Sequence, residues 1–389
     1  MTTTIKFRRS SLTWLLYGVL GWYAYAQGAI NPLMPLLRRD LELSFTLSSL
    51  HPAAFALGMI TAGLTGERVL SRFGMRAVLW GGSFGMTLGV LLLVSGTIAP
   101  MTIAGAYLMG VLGTMAMIGV QTSLALLHGQ TAPVAITEAN ILGSLTAAAV
   151  PLAIGFLEGS GSDWRWALLL AVAVWLVMFA LQQQTALPSA PPLKRGAEGK
   201  LPFNVRLYLL IIFVAGGVEW GGWLFAADYL IVSIGLDTAA AAGMVALFPL
   251  GAVTGRVLLS RLLRRQAPQR LLPYTMLCVF VGFPLFYVPS TLLVQGAGLF
   301  LMGLGAAGFF PLAVSTVAIT AGPLISQASS RVPLATGTAI LVNPLLLGAL
   351  ADAVGLQTAY LIVPTLAVVT LGMILFANRL SAPYPTGAA

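Results

Sequence analysis

Glu219 is an acid placed where acids are rare. It lies in Gly216-Gly217-Val218-Glu219-Trp220-Gly221-Gly222-Trp223, at the midpoint of an apolar run from about residue 206 to 232. An ionisable group inside such a run is costly unless it faces a cavity or a partner, so it is a functional candidate by default. A carboxyl there can take up and release a proton, pair with a cationic solute, or serve as a structural acid bonded to a neighbouring helix. The four glycines permit close helix approach or local unwinding. Asp228, about two and a half turns further on, is a second proton-site candidate or a plain interfacial charge.

A second constellation is uncharged. Tyr23, Gln27 and Asn31 recur every four residues, which puts them on one helix face, with Trp22 and Tyr25 flanking the stripe. Such a polar, aromatic stripe suits a wall that hydrogen-bonds and stacks a small solute, and equally suits interhelical bonding. Trp220 and Trp223 beside Glu219, with His51 and Gln121 in other apolar runs, are candidates for the same wall or for packing. No Lys or Arg falls in mid-run, so a neutral or weakly cationic organic solute fits better than a dianion. The one cysteine, Cys278, and two histidines, His51 and His128, give no disulfide, metal site or nucleophile–base grouping, and no cofactor is expected.

These residues need elements that cross a membrane. With 58% hydrophobic and 8% charged residues, the chain departs far from soluble proteins, where about a quarter are charged. Twelve runs reach the roughly twenty residues of a spanning helix: 12–36, 45–65, 77–97, 101–127, 138–157, 165–183, 206–232, 239–262, 271–289, 292–320, 332–351 and 358–378. They are continuous rather than alternating, which argues against a barrel. Ala24-Tyr25-Ala26 mimics a signal-peptide cleavage site, but cleavage would delete the first helix. In helix 10, Gly303, Gly305, Gly308 and Pro311 suggest a bendable gate.

Loop charge orients the helices, because cytoplasmic loops hold the excess of Lys and Arg. With both termini cytoplasmic, 17 of 20 basic residues fall inside, and only Arg38, Arg39 and Arg165 lie outside, near Asp40, Glu42, Glu158 and Asp163. The net charge of +9 is thus topological, and no nucleic-acid partner is expected. Residues 184–205, with Pro188, Pro191, Pro192, Lys194, Arg195 and Lys200, read as a cytoplasmic linker between a bundle over 1–183 and another over 206–389.

The halves repeat. Thr65-Gly66 and Ser71-Arg72 return as Thr254-Gly255 and Ser260-Arg261 after 189 residues, while Ala104-Gly105 returns as Ala297-Gly298, and Pro151/Gly155 as Pro344/Gly348, after 193. The stretch Thr65 to Arg76 reads as a short basic loop between helices 2 and 3.

Twelve helices in two parallel halves, a basic linker and this loop resemble the major facilitator superfamily. Gly74, Arg72 and Arg76 match the family's loop pattern, Ser71 stands at its acidic position, and Gly66 is one residue out of register. Asp163-Trp164-Arg165-Trp166 resembles the signature before helix 6, and Asn31-Pro32-Leu33 with Pro35 is also familiar. Helix 7 is similar to that of fucose-permease-like members. The resemblance implies an all-α membrane protein of two pseudo-symmetric six-helix bundles working by alternating access. It implies gating by the loop, here Gly66, Glu67, Arg72, Gly74 and Arg76, with Gly255, Arg256 and Arg261 in the second half. Glu67 would substitute for the missing acid at Ser71, and the arginines equally fix topology.

The resulting expectation is a monomeric, proton-coupled symporter of a small polar solute such as a sugar in a bacterial-type inner membrane. Its partners are the solute, protons and lipid. The alternatives are a proton-coupled exporter of drugs or organic cations, and a non-transporting sensor or lipid scramblase.

Overall fold

The computed structural model describes residues 8–189, 200–263, 266–288, 291–321 and 324–380, and all its regular elements there are helical. In chain order they are α1 (Ser11–Ala29), α2 (Met34–Leu41), α3 (Phe45–Arg76), α4 (Gly82–Ser95), α5 (Ala99–His128), α6 (Ala132–Gly159), α7 (Arg165–Gln182), α8 (Phe203–Leu224), α9 (Ala226–Val232), α10 (Thr238–Val245), α11 (Leu247–Leu262), α12 (Pro268–Tyr287), α13 (Leu292–Ala306), α14 (Phe309–Ala321), α15 (Ile325–Val354), α16 (Leu356–Ala359) and α17 (Ile362–Leu380). Among the described residues ten stretches are long and apolar enough to cross a membrane. One of them, Phe45–Ser95, has 51 residues and holds two crossings, and α1, made less apolar by its polar stripe, is the twelfth.

The expected loop from Thr65 to Arg76 is instead helix. α3 continues to Phe73 and breaks at Gly74, whose φ of 81° and ψ of 169° favour glycine, and a π-helical turn at Ala77–Gly81 leads into α4. Arginine is a good helix former and no proline intervenes, so charge alone does not end the helix. Part of the linker, residues 190–199, lies outside the described residues, as do Lys6, Arg264 and Arg265.

By contact the chain divides into one unit of Met1–Lys194 with Gly235–Ala246, and another of Arg195–Ile234 with Leu247–Ala389. In the first unit α1 lies on α6, where Gly28 meets Ala147 and the Thr146 hydroxyl donates to the Gly21 carbonyl at 2.7 Å. There α10 also packs on α6, since a Cβ on Gly155 would come within 2.8 Å of the Ala239 carbonyl. In the second unit α13 lies between α11 and α12, and α8 packs on α14, α15 and α17. Glycine at these crossings lets backbones touch, which strengthens van der Waals packing where lipid offers no hydrophobic drive.

The glycine contacts settle the repeat's register. Gly110 abuts the Phe55 carbonyl and Gly303 the Phe248 carbonyl; Gly89 faces Gly105, and Gly282 faces Gly298, both at 2.7 Å for an added Cβ. All four correspondences are 193 residues apart. The 189-residue shift of the Thr-Gly segments is therefore one helical turn short: the counterpart of Gly66 is Leu259, which touches Gly308, and not Gly255, which faces Leu304 and Ala307.

The three basic residues that escaped the charge sorting are held in pairs. Arg39 bonds Glu158 at 2.9 Å and Asp40 at 3.1 Å, while Arg165 reaches Asp40 at 3.1 Å and the Val94 carbonyl at 3.0 Å. The Trp164 indole also donates to Asp40, and the Arg38 guanidinium lies 4.1 Å over the Phe45 ring. At the far end of α1, Arg9 grips Glu138 at 2.8 and 2.5 Å, and the Tyr17 hydroxyl donates to the same carboxylate.

Candidate functional site

Glu219 stands 16 residues into α8, about 24 Å along its axis, and is half-buried. The surrounding glycines pack rather than unwind. Gly216 lies against Ala339 and Gly217 against the Asn343 amide of α15, and Gly222 faces Met302 of α13. α8 stays helical through all four and breaks only at Phe225, with φ −103° and ψ 17°. Tyr360 caps the break by donating to the Gly222 carbonyl at 2.8 Å.

Few backbone positions of α8 and α11 approach one another, and long side chains join the two helices. Trp223 stacks on Phe248 of α11 with centroids 5.8 Å apart and planes at 2°, and Trp220 leans on Trp223 at 6.0 Å. Near this stack Glu219 has Arg256 of α11 as its electrostatic partner. The Trp223 indole N–H is buried with no hydrogen-bond acceptor among the described residues. The result is a run of three aromatic rings, tilted at Trp220 and parallel at Trp223 and Phe248, at the stretch of α8 that carries Glu219.

Asp228 lies beyond the break and is fully buried, next to Tyr360. Tyr229, Phe283, Phe286 and Tyr287 pack with Tyr360 as one aromatic cluster. Asp228 therefore shares α8–α9 with Glu219 but not its surroundings.

In the first unit the stripe splits. Tyr23 is buried against Gly113 of α5, its hydroxyl beside that of Thr114 without reaching hydrogen-bond geometry. Asn31 is 2% exposed, and neither amide atom finds a partner among the described residues. It lies in the turn between α1 and α2, and Gln27 above it is half-buried. The flanking rings point elsewhere: Trp22 donates to the Ala171 carbonyl at 2.9 Å and Tyr25 to Ala167 at 3.0 Å, both on α7. His51 is fully buried, with Nδ1 2.9 Å from the Ser48 carbonyl and Nε2 2.8 Å from the Thr102 hydroxyl, so both nitrogens are engaged. Gln121 is half-buried on α5.

Of the gating candidates, Glu67 and Arg72 are exposed on α3, with Arg72 5.5 Å over Phe73, and Arg76 donates to the Gln183 carbonyl that ends α7. Gly66 packs on Ile118. Arg256 and Arg261 are exposed on α11, and Gly255 is buried under Leu304. The expected bend in helix 10 falls at Ala307–Gly308, between α13 and α14, while Gly303 and Gly305 are packing contacts.

Thr114, Phe248 and Asn343 were not singled out from sequence. Among the described residues no cluster of three His, Cys, Asp or Glu could hold a metal.

The sequence model of the Major Facilitator Superfamily matches residues 16–323. No curated protein matches the chain. Among solved structures, the nucleoside transporter NupG superposes with a TM-score of 0.78 at 12% identity, over 94% of this chain and 100% of its own. A bacterial homologue of the human lysosomal transporter Spinster gives 0.74 at 12%, over 97% and 99%. A D-xylose–proton symporter gives 0.72 at 14%, over 94% and 96%. At such identities the likeness is one of fold.

Proposed function

We start from the fact that this chain belongs to the major facilitator superfamily, and propose that it is a proton symporter for a small neutral polar solute such as a sugar. Membership makes it a multi-pass membrane transporter and not an enzyme. The observation that carries the proton role is Glu219, a half-buried carboxyl deep in α8 within electrostatic reach of the Arg256 guanidinium. Such a carboxyl can take up and release a proton during an alternating-access cycle, with the charge of Arg256 close by. Asp228 is a secondary proton site in this reading.

The neutral solute is supported by the uncharged hydrogen-bonding groups of the first unit. Tyr23, Thr114 and Asn31 are buried with bonding capacity unused among the described residues, and such groups favour a ligand that supplies hydroxyls. Gln27 and Gln121 extend that wall within the first unit; in the second unit, taken by itself, Trp220 and Trp223 offer an aromatic face. Trp22 and His51 hold helices together in this reading. Glu67, Arg72, Gly74 and Arg76, with Arg256 and Arg261, act at the gate. The chain works as a monomer in a bacterial-type inner membrane with both termini cytoplasmic.

One observation favours a second reading: the Trp220–Trp223–Phe248 surface beside a carboxylate also suits a lipophilic cation, as in an exporter. Purified protein in liposomes under an imposed pH gradient tests both. Accumulation of a labelled sugar with the proton gradient supports symport, and gradient-driven movement of cationic dyes in the opposite sense supports export. A chain that moves no solute across a broad panel overturns both in favour of a sensor or scramblase.

A further inference from the structure

Independently of the transport reading, the second unit carries a groove on α11 and α12. It encloses about 280 Å³ and is walled by Leu258 and Leu262 of α11 with Leu271 and Cys278 of α12. At one end it opens at Gln266 and Tyr274, where a second hollow begins that is lined by the same two residues with Arg270 and Pro273. An apolar slot thus ends in a basic, hydrogen-bonding mouth. Tyr274 is 61% exposed, an amphipathic ring at the junction, as aromatic residues are at membrane interfaces.

Among the described residues Arg270 forms no ion pair. The first turn of α12 has no acid although Arg270 lies in it, and cations there oppose the helix dipole. Between Asp237 and Asp352 the sequence has no Asp or Glu but six arginines. The neighbouring end of α17 brings Asn378, whose amide donates to the Gln269 carbonyl at 3.1 Å, and then Arg379. A ligand that suits all of this has one apolar tail and an anionic head.

We propose that this groove is a site for an anionic phospholipid, one acyl chain lying along Leu258, Leu262 and Leu271 and the phosphate at Arg270. Anionic headgroups attract basic segments at the membrane surface, and a tail buried beside them adds hydrophobic free energy.

Cys278 lines the slot and is the chain's only cysteine, so it reports occupancy. Full-length protein is placed in nanodiscs of phosphatidylcholine, or of phosphatidylcholine mixed with phosphatidylglycerol of the same acyl chains. Alkylation of Cys278 by N-ethylmaleimide is followed by intact-mass spectrometry. Phosphatidylglycerol should slow alkylation several-fold, Arg270→Gln should remove most of that protection, and inorganic phosphate in phosphatidylcholine discs should give none. Equal rates in the two lipids overturn the proposal, as does protection by phosphate alone or full protection in the Arg270→Gln protein. Arg270 is exposed, so its replacement leaves the fold intact, which the melting temperature verifies.

Discussion

The Glu219 carboxyl on α8 lies within electrostatic reach of the Arg256 guanidinium on α11, a helix with which α8 has few backbone contacts. Packing of Gly216, Gly217, Gly221 and Gly222 against α15, α17 and α13 fixes α8, and with it the carboxyl and the neighbouring tryptophans. A carboxyl held this way has two competing partners, the arginine and a proton. That competition is what coupling needs.

Glu219→Gln keeps the size and hydrogen-bonding capacity of the side chain but cannot titrate. In liposomes the variant should lose solute accumulation driven by a pH gradient while still exchanging labelled for unlabelled solute at equilibrium. Unaltered gradient-driven uptake would end the proton role of this residue.

The Trp223–Phe248 stack should supply affinity rather than coupling. An aromatic pair is worth about 1 kcal/mol beyond its buried area, so losing such a platform weakens solute binding roughly five-fold. Trp223→Ala should therefore raise KM by about that factor with coupling retained, whereas Trp223→Phe should stay near wild type. Solute titrations in liposomes check both, and a Trp223→Ala protein with unchanged KM removes the platform from the site.

Much of this was legible in the chain because lipid imposes a simple rule: a crossing needs a long apolar run, and every such run is visible. Periodicity put Tyr23, Gln27 and Asn31 on one face with Trp22 and Tyr25 flanking it, but could not say which neighbour each ring meets, and both flanking rings are spent on α7 carbonyls. Basic residues suggested a loop at Thr65–Arg76, while the backbone there answers only to Gly74. Phe248 was hidden for another reason: it is one apolar residue among many, and its role comes from contacts with Trp223 and Gly303 that lie far apart in sequence.

That same contact gives a stability test. A methyl on Gly303 collides with the Phe248 carbonyl, and backbone cannot step aside as a side-chain tip can. Gly303→Ala should cost about 1–3 kcal/mol or more and lower the melting temperature. Gly372 on α17 is an apt control, since a Cβ there meets nothing within 4 Å. Helix propensity then favours alanine by roughly 0.5–1 kcal/mol, so Gly372→Ala should hold or raise the melting temperature. Equal losses in both variants would mean that the α11–α13 crossing does not limit stability.

Asp40 gives the pH dependence its sign. Burial pushes its carboxyl up, but the hydrogen bonds from Trp164 and Arg39 and the charges of Arg39 and Arg165 outweigh that, so it titrates below its ordinary value. A group whose folded pKa is depressed contributes stability that is present above the unfolded value, about 3.9, and is lost as pH falls through the folded value. Acidification should therefore loosen the tie between α2 and the start of α7. Asp40→Asn keeps an acceptor for the Trp164 indole but carries no charge. Its melting temperature should be lower than wild type at pH 7, and the difference should shrink as pH is taken from about 5 towards 3. A difference that stays constant over that range would show that the Asp40 charge does not stabilise the fold.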